Sequence, residues 1–98
     1  MSGTTRSSSD LDPRRRRLLF RAWHRGTREM DLLMGPFCDA EIGALSEDEV
    51  SAFEHLIDAN DRDIYDWITG AAATPGAYDS GLLHKLRAFH TPPKPRHA

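Results

Sequence analysis

The residues best suited to chemistry lie in one short stretch, Arg25-Gly26-Thr27-Arg28-Glu29. Two guanidinium groups and a carboxylate this close together can form charge-assisted hydrogen bonds to a partner. The stretch contains no nucleophile with a neighbouring base, so it is suited to recognition and not to catalysis. An ordinary corner between two helices also uses a glycine and a first-turn glutamate, so a purely structural interpretation stays open at this point.

Potential metal ligands and nucleophiles are scattered along the chain: His24, His55, His84, His90 and Cys38. None of them forms an i, i+4 or Cys-x-x-Cys pair, so we predict no metal site and no catalytic residue. Cys38 completes an apolar stripe at helical spacing, and we predict a core position for it. Trp23 and Trp67 also have helical spacing and are predicted to be core anchors.

A second group of charges is the run of four arginines at Arg14–Arg17. Such a run can contact phosphates, which keeps a small nucleic-acid-binding regulatory protein as an alternative. Residues 31–66, however, carry eleven acidic residues and a single base, Arg62, and would repel a polyanion. We therefore favour a solvated helix start or a basic patch for an acidic protein, and we expect no nucleic-acid partner.

The charge is distributed in blocks along the chain. The net charge is +5 over residues 1–30, −10 over residues 31–66 and +3 over residues 67–98. This pattern predicts a basic and an acidic surface that face different surroundings. One cysteine excludes an intrachain disulfide and suits a reducing compartment, and no apolar run approaches the length of a membrane span. With no signal-peptide pattern either, we expect a cytoplasmic protein that does not contact membranes.

The elements that position the central stretch are two predicted helices. The first begins at Pro13 with Asp12 as its N-cap and runs through about Arg25. Gly26 is the natural C′ residue, because a glycine takes a positive φ without steric cost. The second helix begins near Thr27, and we expect a kink or an early stop at Gly35-Pro36.

Three further helices are predicted downstream. Ser46 with Glu49 forms a capping box that starts helix 3, which stops near Asn60-Asp61. Helix 4 begins at that corner and ends at Gly70. Helix 5 begins around Asp79 or Ser80 and directs four apolar residues inward, Leu82, Leu83, Leu86 and Phe89. The predicted fold is a small all-α bundle of five helices over residues 13–90, with disordered tails at 1–12 and 91–98.

The motif resembles a known family. Arg25-Gly26-x-x-Glu29, followed by Met30-Asp31 and Pro36-Phe37, is similar to the RGxxE signature of the SdhE-type flavinylation factors, which assemble the flavoprotein subunit of succinate dehydrogenase. The resemblance covers about residues 15–70. It includes Trp23, the segment Leu45-Ser46-Glu47-Asp48-Glu49, and the pattern Phe53…Leu56…Asp61-x-Asp63…Trp67. Thr27 departs from it, since members often carry methionine there.

The resemblance implies a chaperone-like assembly factor and not an enzyme. Such factors bind the flavoprotein subunit of succinate dehydrogenase, and in bacteria that of fumarate reductase, and promote covalent attachment of FAD to a histidine of that client. The resemblance places the contact surface on Arg25, Gly26 and Glu29, and the helical spacing adds Arg17, Arg21 and Arg28 as neighbours. Because a domain of this size has little room for a cofactor cavity, we expect it to hold no cofactor of its own. We also expect a monomer.

One more alternative comes from the same family. Some members are described as antitoxins that neutralise a toxin encoded beside them. The sequence therefore leaves three hypotheses: a flavinylation factor as the main one, and an antitoxin-like or a nucleic-acid-binding helical regulator as alternatives.

Overall fold

The structure, a computed structural model, describes residues 10–90. Within this range the chain forms five α-helices and one short 3-10 turn, and it contains no strand. The helices are α1 Pro13–Trp23, α2 Arg28–Glu41, α3 Glu47–Ile57, α4 Asp61–Thr69 and α5 Gly81–His90, with the 3-10 turn at Gly76–Tyr78 before α5. The predicted five-helix all-α fold is thereby confirmed.

Helix α1 begins as predicted and ends earlier than predicted. The Asp12 carboxylate accepts a hydrogen bond from the backbone N–H of Arg15 at 2.9 Å, which is N-cap geometry. The helix ends at Trp23, and His24 is its C-cap. The prediction of Gly26 as C′ is therefore wrong by one position, because Arg25 follows the cap directly. The predicted positive φ is present at Gly26, at +106°.

Helix α2 does not stop at its proline. It runs through Gly35 and Pro36 to Glu41, so of the predicted kink or early stop the early stop is wrong, and the kink stays a prediction. The missing N–H of Pro36 costs one intrahelical hydrogen bond. The apolar side chains on both sides of it, Met34, Phe37 and Cys38, are fully buried, and this packing outweighs the lost bond.

The later helices follow their local signals closely. Both reciprocal hydrogen bonds of the Ser46–Glu49 capping box are present at the start of α3. That helix ends at Ile57, three residues before the predicted stop. Asn60 has an extended backbone and is the N-cap of α4, so it cannot also belong to α3. Helix α4 ends at Thr69 with Gly70 as its C-cap, in agreement with the predicted end at Gly70. The Ser80 hydroxyl accepts from the backbone N–H of Leu83 at the start of α5.

All five helices contribute to a single apolar core. Helix α1 packs mainly against α2 and also against α3, while α5 packs against α2, α3 and α4. Trp23 and Trp67 are 8% and 7% exposed, so both predicted core anchors are confirmed. Phe89 is a correction: it is 43% exposed and rests edge-on against Phe37, with ring centroids 5.7 Å apart.

Most of the two predicted tails, residues 1–9 and 91–98, lies outside the residues that the structure describes. Within the predicted N-terminal tail, Leu11 is described and is buried in the core. No helix of residues 10–90 is both long and apolar enough to cross a bilayer.

Candidate partner-binding site

The corner between α1 and α2 is built from local backbone chemistry. The Thr27 hydroxyl caps α2 by accepting from the backbone N–H of Met30. The backbone N–H of Arg25 donates to the Asp31 carboxylate at 2.7 Å, which ties the chain before the corner to the first turn after it. Gly26 is exposed between these two bonds, so the backbone of the motif is presented to solvent in a fixed conformation.

The side chain of Arg25 points into the protein. Its guanidinium forms an ion pair with Asp61 at the start of α4 and donates to the carbonyl of Ile57 at the end of α3, at 2.8 Å. Only 11% of the side chain is exposed. This arginine, predicted as a surface contact, thus joins the α1–α2 corner to the α3–α4 corner.

Arg28 and Glu29 point outward. Both are exposed, and the structure gives neither side chain a hydrogen bond or an ion pair with another residue of the range 10–90. Glu29 lines a shallow groove of about 220 Å³ together with Asp61, Arg62, Tyr65 and the edge of Met30. A carboxylate without an internal partner beside a groove can accept hydrogen bonds from a bound protein.

Arg17 and Arg21 lie along α1, away from the corner. Arg21 forms an ion pair with Asp58 at 2.6 Å, and its hydrogen bond lowers the pKa of the Asp58 carboxyl. Arg17 is exposed and has no side-chain hydrogen bond to another described residue. The six predicted site residues are therefore split between the corner and the adjacent face of α1, with Arg25 largely occupied inside the protein.

Two residues of the arginine run hold α1 onto the rest of the bundle. Arg14 donates to Glu54 at 2.7 and 3.1 Å, which lowers the pKa of Glu54 and raises that of Arg14. Arg15 donates to the carbonyls of Ile42 and Leu45. These two cations have structural roles, which reduces the charge that the run can offer to a polyanion.

One exposed residue near the site was missing from the sequence-based prediction. Phe20 is 63% exposed on α1, and its ring stacks on His24 with centroids 4.0 Å apart. The available signal was its place outside the buried stripe of α1, which consists of Leu18, Leu19, Ala22 and Trp23. Phe20 follows Leu19 in the sequence, but its side chain lies on the solvent-exposed side of the helix.

The next feature is the distribution of potential metal ligands within the described residues. Residues 10–90 contain no group of three or more His, Cys, Asp or Glu side chains that could hold a metal ion. Cys38 is buried in the core, as predicted. The arrangement at the corner is one of charges and backbone groups, which is suited to protein recognition.

Comparison with known proteins gives a consistent picture. A family profile, Sdh5, described as "Flavinator of succinate dehydrogenase", matches residues 16–90. The chain is 34% identical over 80 residues to the "FAD assembly factor SdhE" of Acetobacter pasteurianus, an alignment that covers 82% of this chain and 73% of that protein. It is 36% identical over 84 residues to the mitochondrial "Succinate dehydrogenase assembly factor 2" of Drosophila grimshawi, covering 84% of this chain and 57% of that protein. No solved structure matches significantly.

Proposed function

The chain belongs to the Sdh5 family of succinate dehydrogenase flavinators, and from this premise we propose that it is an assembly factor for the flavoprotein subunit of succinate dehydrogenase. In this role it promotes the covalent attachment of FAD to that subunit. The family match begins at residue 16 within α1 and includes the whole of α2 to α5, and the chain covers most of its bacterial relative. It spans little more than half the length of the Drosophila relatives. The names of these relatives do not support the antitoxin or nucleic-acid alternatives.

The observation that carries the proposal is the contrast between two charged residues of the motif. Arg25 is held inside by Asp61 and Ile57, whereas Glu29 is exposed without a described partner. The inward-pointing Arg25 holds the corner in place, and the corner presents Gly26, Arg28 and Glu29 to a client. We call these three exposed residues the corner surface. Arg17 and Arg21 extend it along α1.

The proposed mechanism is preorganisation. A small bundle bound to an immature flavoprotein restricts how its mobile cap moves relative to its FAD domain. The client's histidine and the 8α-methyl carbon of the flavin are thereby held in reacting geometry, and this positioning lowers the entropic part of the barrier. The client supplies the reacting groups, and the chain acts as a helper and not as the enzyme.

This mechanism requires no cofactor in the chain itself. The sequence carries no dinucleotide glycine fingerprint, and a domain of this size has little interior volume to hold FAD. We therefore expect the purified protein to be colourless and to bind free FAD weakly or not at all in calorimetry. A yellow preparation with stoichiometric flavin would contradict the helper mechanism. A fumarate reductase client, a monomeric state and a cytoplasmic location stay predictions from the sequence.

The experiment that tests the function is the variant Glu29→Gln, which removes the charge and keeps the shape. As a first-turn acid alone, Glu29 contributes only about 0.3–1 kcal/mol to stability. As a contact, its loss leaves the partner's charge unpaired and costs about 2–5 kcal/mol of client binding. We expect a near-normal thermal melt and weak in-gel flavin fluorescence of the co-expressed flavoprotein subunit.

The matched control is Asp48→Asn, which changes another exposed first-turn acid, on α3. It should leave flavin fluorescence of the client at the wild-type level. Wild-type fluorescence with Glu29→Gln would remove Glu29 from the contact. If the wild-type chain also failed to raise client fluorescence, the proposed function itself would be wrong.

A further inference from the structure

The outward face of α1 combines positive charge with an exposed aromatic ring. We call Arg16, Arg17, Phe20 and His24 the α1 outer face, since their spacing places them on one side of the helix. An open groove of about 450 Å³ lies along it, lined by Pro13, Arg16, Arg17, Phe20 and Arg21. The proposed contacts Arg17 and Arg21 account for part of this surface and of the groove lining, but not for Arg16 or the ring of Phe20.

The two arginines of this face form no ion pair within hydrogen-bond distance of a described carboxylate. Arg16 donates to the backbone carbonyl of Leu11 at 2.9 Å, and it forms no ion pair with a described carboxylate. Arg17 is exposed, and the nearby Glu54 already accepts two hydrogen bonds from Arg14. The surplus of positive charge here therefore suits a partner that brings carboxylates.

The ring of Phe20 is held ready for contact. It stacks on the His24 ring at 4.0 Å, and the Nδ1 atom of His24 lies 2.7 Å from the carbonyl oxygen of Phe20. Phe20 is the most exposed of the large hydrophobic side chains within residues 10–90. A rigid aromatic ring of this kind loses little conformational entropy when it is covered, which favours it as an anchor of a protein interface.

We propose that the α1 outer face docks an acidic segment of the client flavoprotein, whose carboxylates meet Arg16 and Arg17 and whose apolar side chain covers Phe20. This inference rests on the proposed function and extends it to the chemistry of the client. His24 directly precedes Arg25-Gly26, so one partner can cover both the α1 outer face and the corner surface. The two surfaces together then define one continuous docking site.

A protein segment fits this face better than a nucleic acid or a lipid surface. Glu54 of α3 and Asp58, the C-cap of that helix, lie beside the face because they pair with Arg14 and Arg21, and a rigid polyanion would approach them as well. A membrane-bound helix needs an apolar stripe, whereas Phe20 is the one large apolar residue exposed on α1. A short acidic segment covers less of this surface than a rigid polyanion, so its carboxylates can meet Arg16 and Arg17 with fewer charges close to Glu54 and Asp58.

The test measures the Kd between the full chain and the apo form of the succinate dehydrogenase flavoprotein subunit. Phe20→Ala should raise Kd at least about tenfold, whereas Phe20→Tyr, which keeps the ring, should bind within about twofold of wild type. Arg17→Gln should raise Kd about threefold at low salt, and this difference should shrink at high salt. The matched control Lys85→Gln removes one charge on α5 and should bind like wild type.

Thermal melts of each variant check whether these exposed substitutions leave the fold intact. Wild-type affinity in both Phe20→Ala and Arg17→Gln overturns the inference and leaves the proposed function standing. So does stronger binding of the wild-type chain to anionic phospholipid vesicles or to duplex DNA, if Arg17→Gln abolishes it. If the wild-type chain does not bind the flavoprotein subunit at all, the proposed function fails first.

Discussion

The guanidinium of Arg25 pairs with the carboxylate of Asp61, 36 residues further along the chain. The Nε atom lies 3.0 Å from Oδ1, and a second nitrogen donates to the same oxygen. A third bond reaches the carbonyl of Ile57. One side chain thus joins the α1–α2 corner to the end of α3 and the start of α4. The geometry of the corner surface therefore depends on a contact that is mostly buried.

The first prediction concerns this junction. Arg25→Lys keeps the charge but cannot reproduce the planar donor fork that serves Asp61 and Ile57 together. We expect a loss of about 1–3 kcal/mol in the free energy of unfolding, measured by urea denaturation. Arg28→Lys, at an exposed position, should stay within about 0.5 kcal/mol of wild type. Equal stability of the two variants would contradict the structural role of Arg25.

A second prediction concerns Gly26, whose φ is +106°. A Cβ built there meets no atom within 4 Å, so a substitution is strained by the backbone alone and not by a clash. Gly26→Ala should therefore fold but lose about 1–2 kcal/mol. Gly81→Ala is the control, since that glycine also has open space and lies in a helix with negative φ. We expect its melting temperature to match or exceed wild type.

A third prediction concerns Gly35, which lies against the indole of Trp23. A Cβ there would stand 2.4 Å from Cδ2 of the ring, so the ring or the helix must move. We expect Gly35→Ala to cost about 1–3 kcal/mol through overpacking. In the double variant Gly35→Ala with Trp23→Leu the added cost of the alanine should largely disappear. Strictly additive costs in urea denaturation would argue against this contact.

A fourth prediction follows from the ion pair between Arg14 and Glu54. The hydrogen bond from Arg14 lowers the pKa of Glu54 below its ordinary value of 4.5. The unfolded chain therefore takes up the proton first, and the pair stabilises the fold at pH values above 4.5. That contribution is lost as the pH falls through the lower pKa of the folded state.

The measurement is a series of thermal melts from pH 7 to pH 3. Glu54→Gln should lower the melting temperature at pH 7, because it removes the ion pair with Arg14. The decrease should be only a few degrees, because both side chains are partly exposed and their interaction is screened by solvent. Near pH 3 the difference from wild type should narrow. A constant difference across the series would mean that the ionised Glu54 does not contribute to stability.

Local signals accounted for most of the helix boundaries. The N-caps at Asp12 and Ser46 were predicted, because a cap is a hydrogen bond within three residues. The early stop predicted at Pro36 of α2 was wrong because the deciding interactions are not local. The cost of the proline is local, whereas the burial of Phe37 and Cys38 that outweighs it depends on the other helices.

The sequence by itself determined the five helices, the apolar face of each and the exposed corner motif, because helical periodicity, capping and glycine geometry act over a few residues. Only the tertiary structure decided which motif charges are available to a partner. Arg25 is turned inward by Asp61, while Glu29 meets no such residue in the described chain. The orientation of a long charged side chain is set by whichever carboxylate the fold brings near it, and sequence spacing carries no information about a residue 36 positions away.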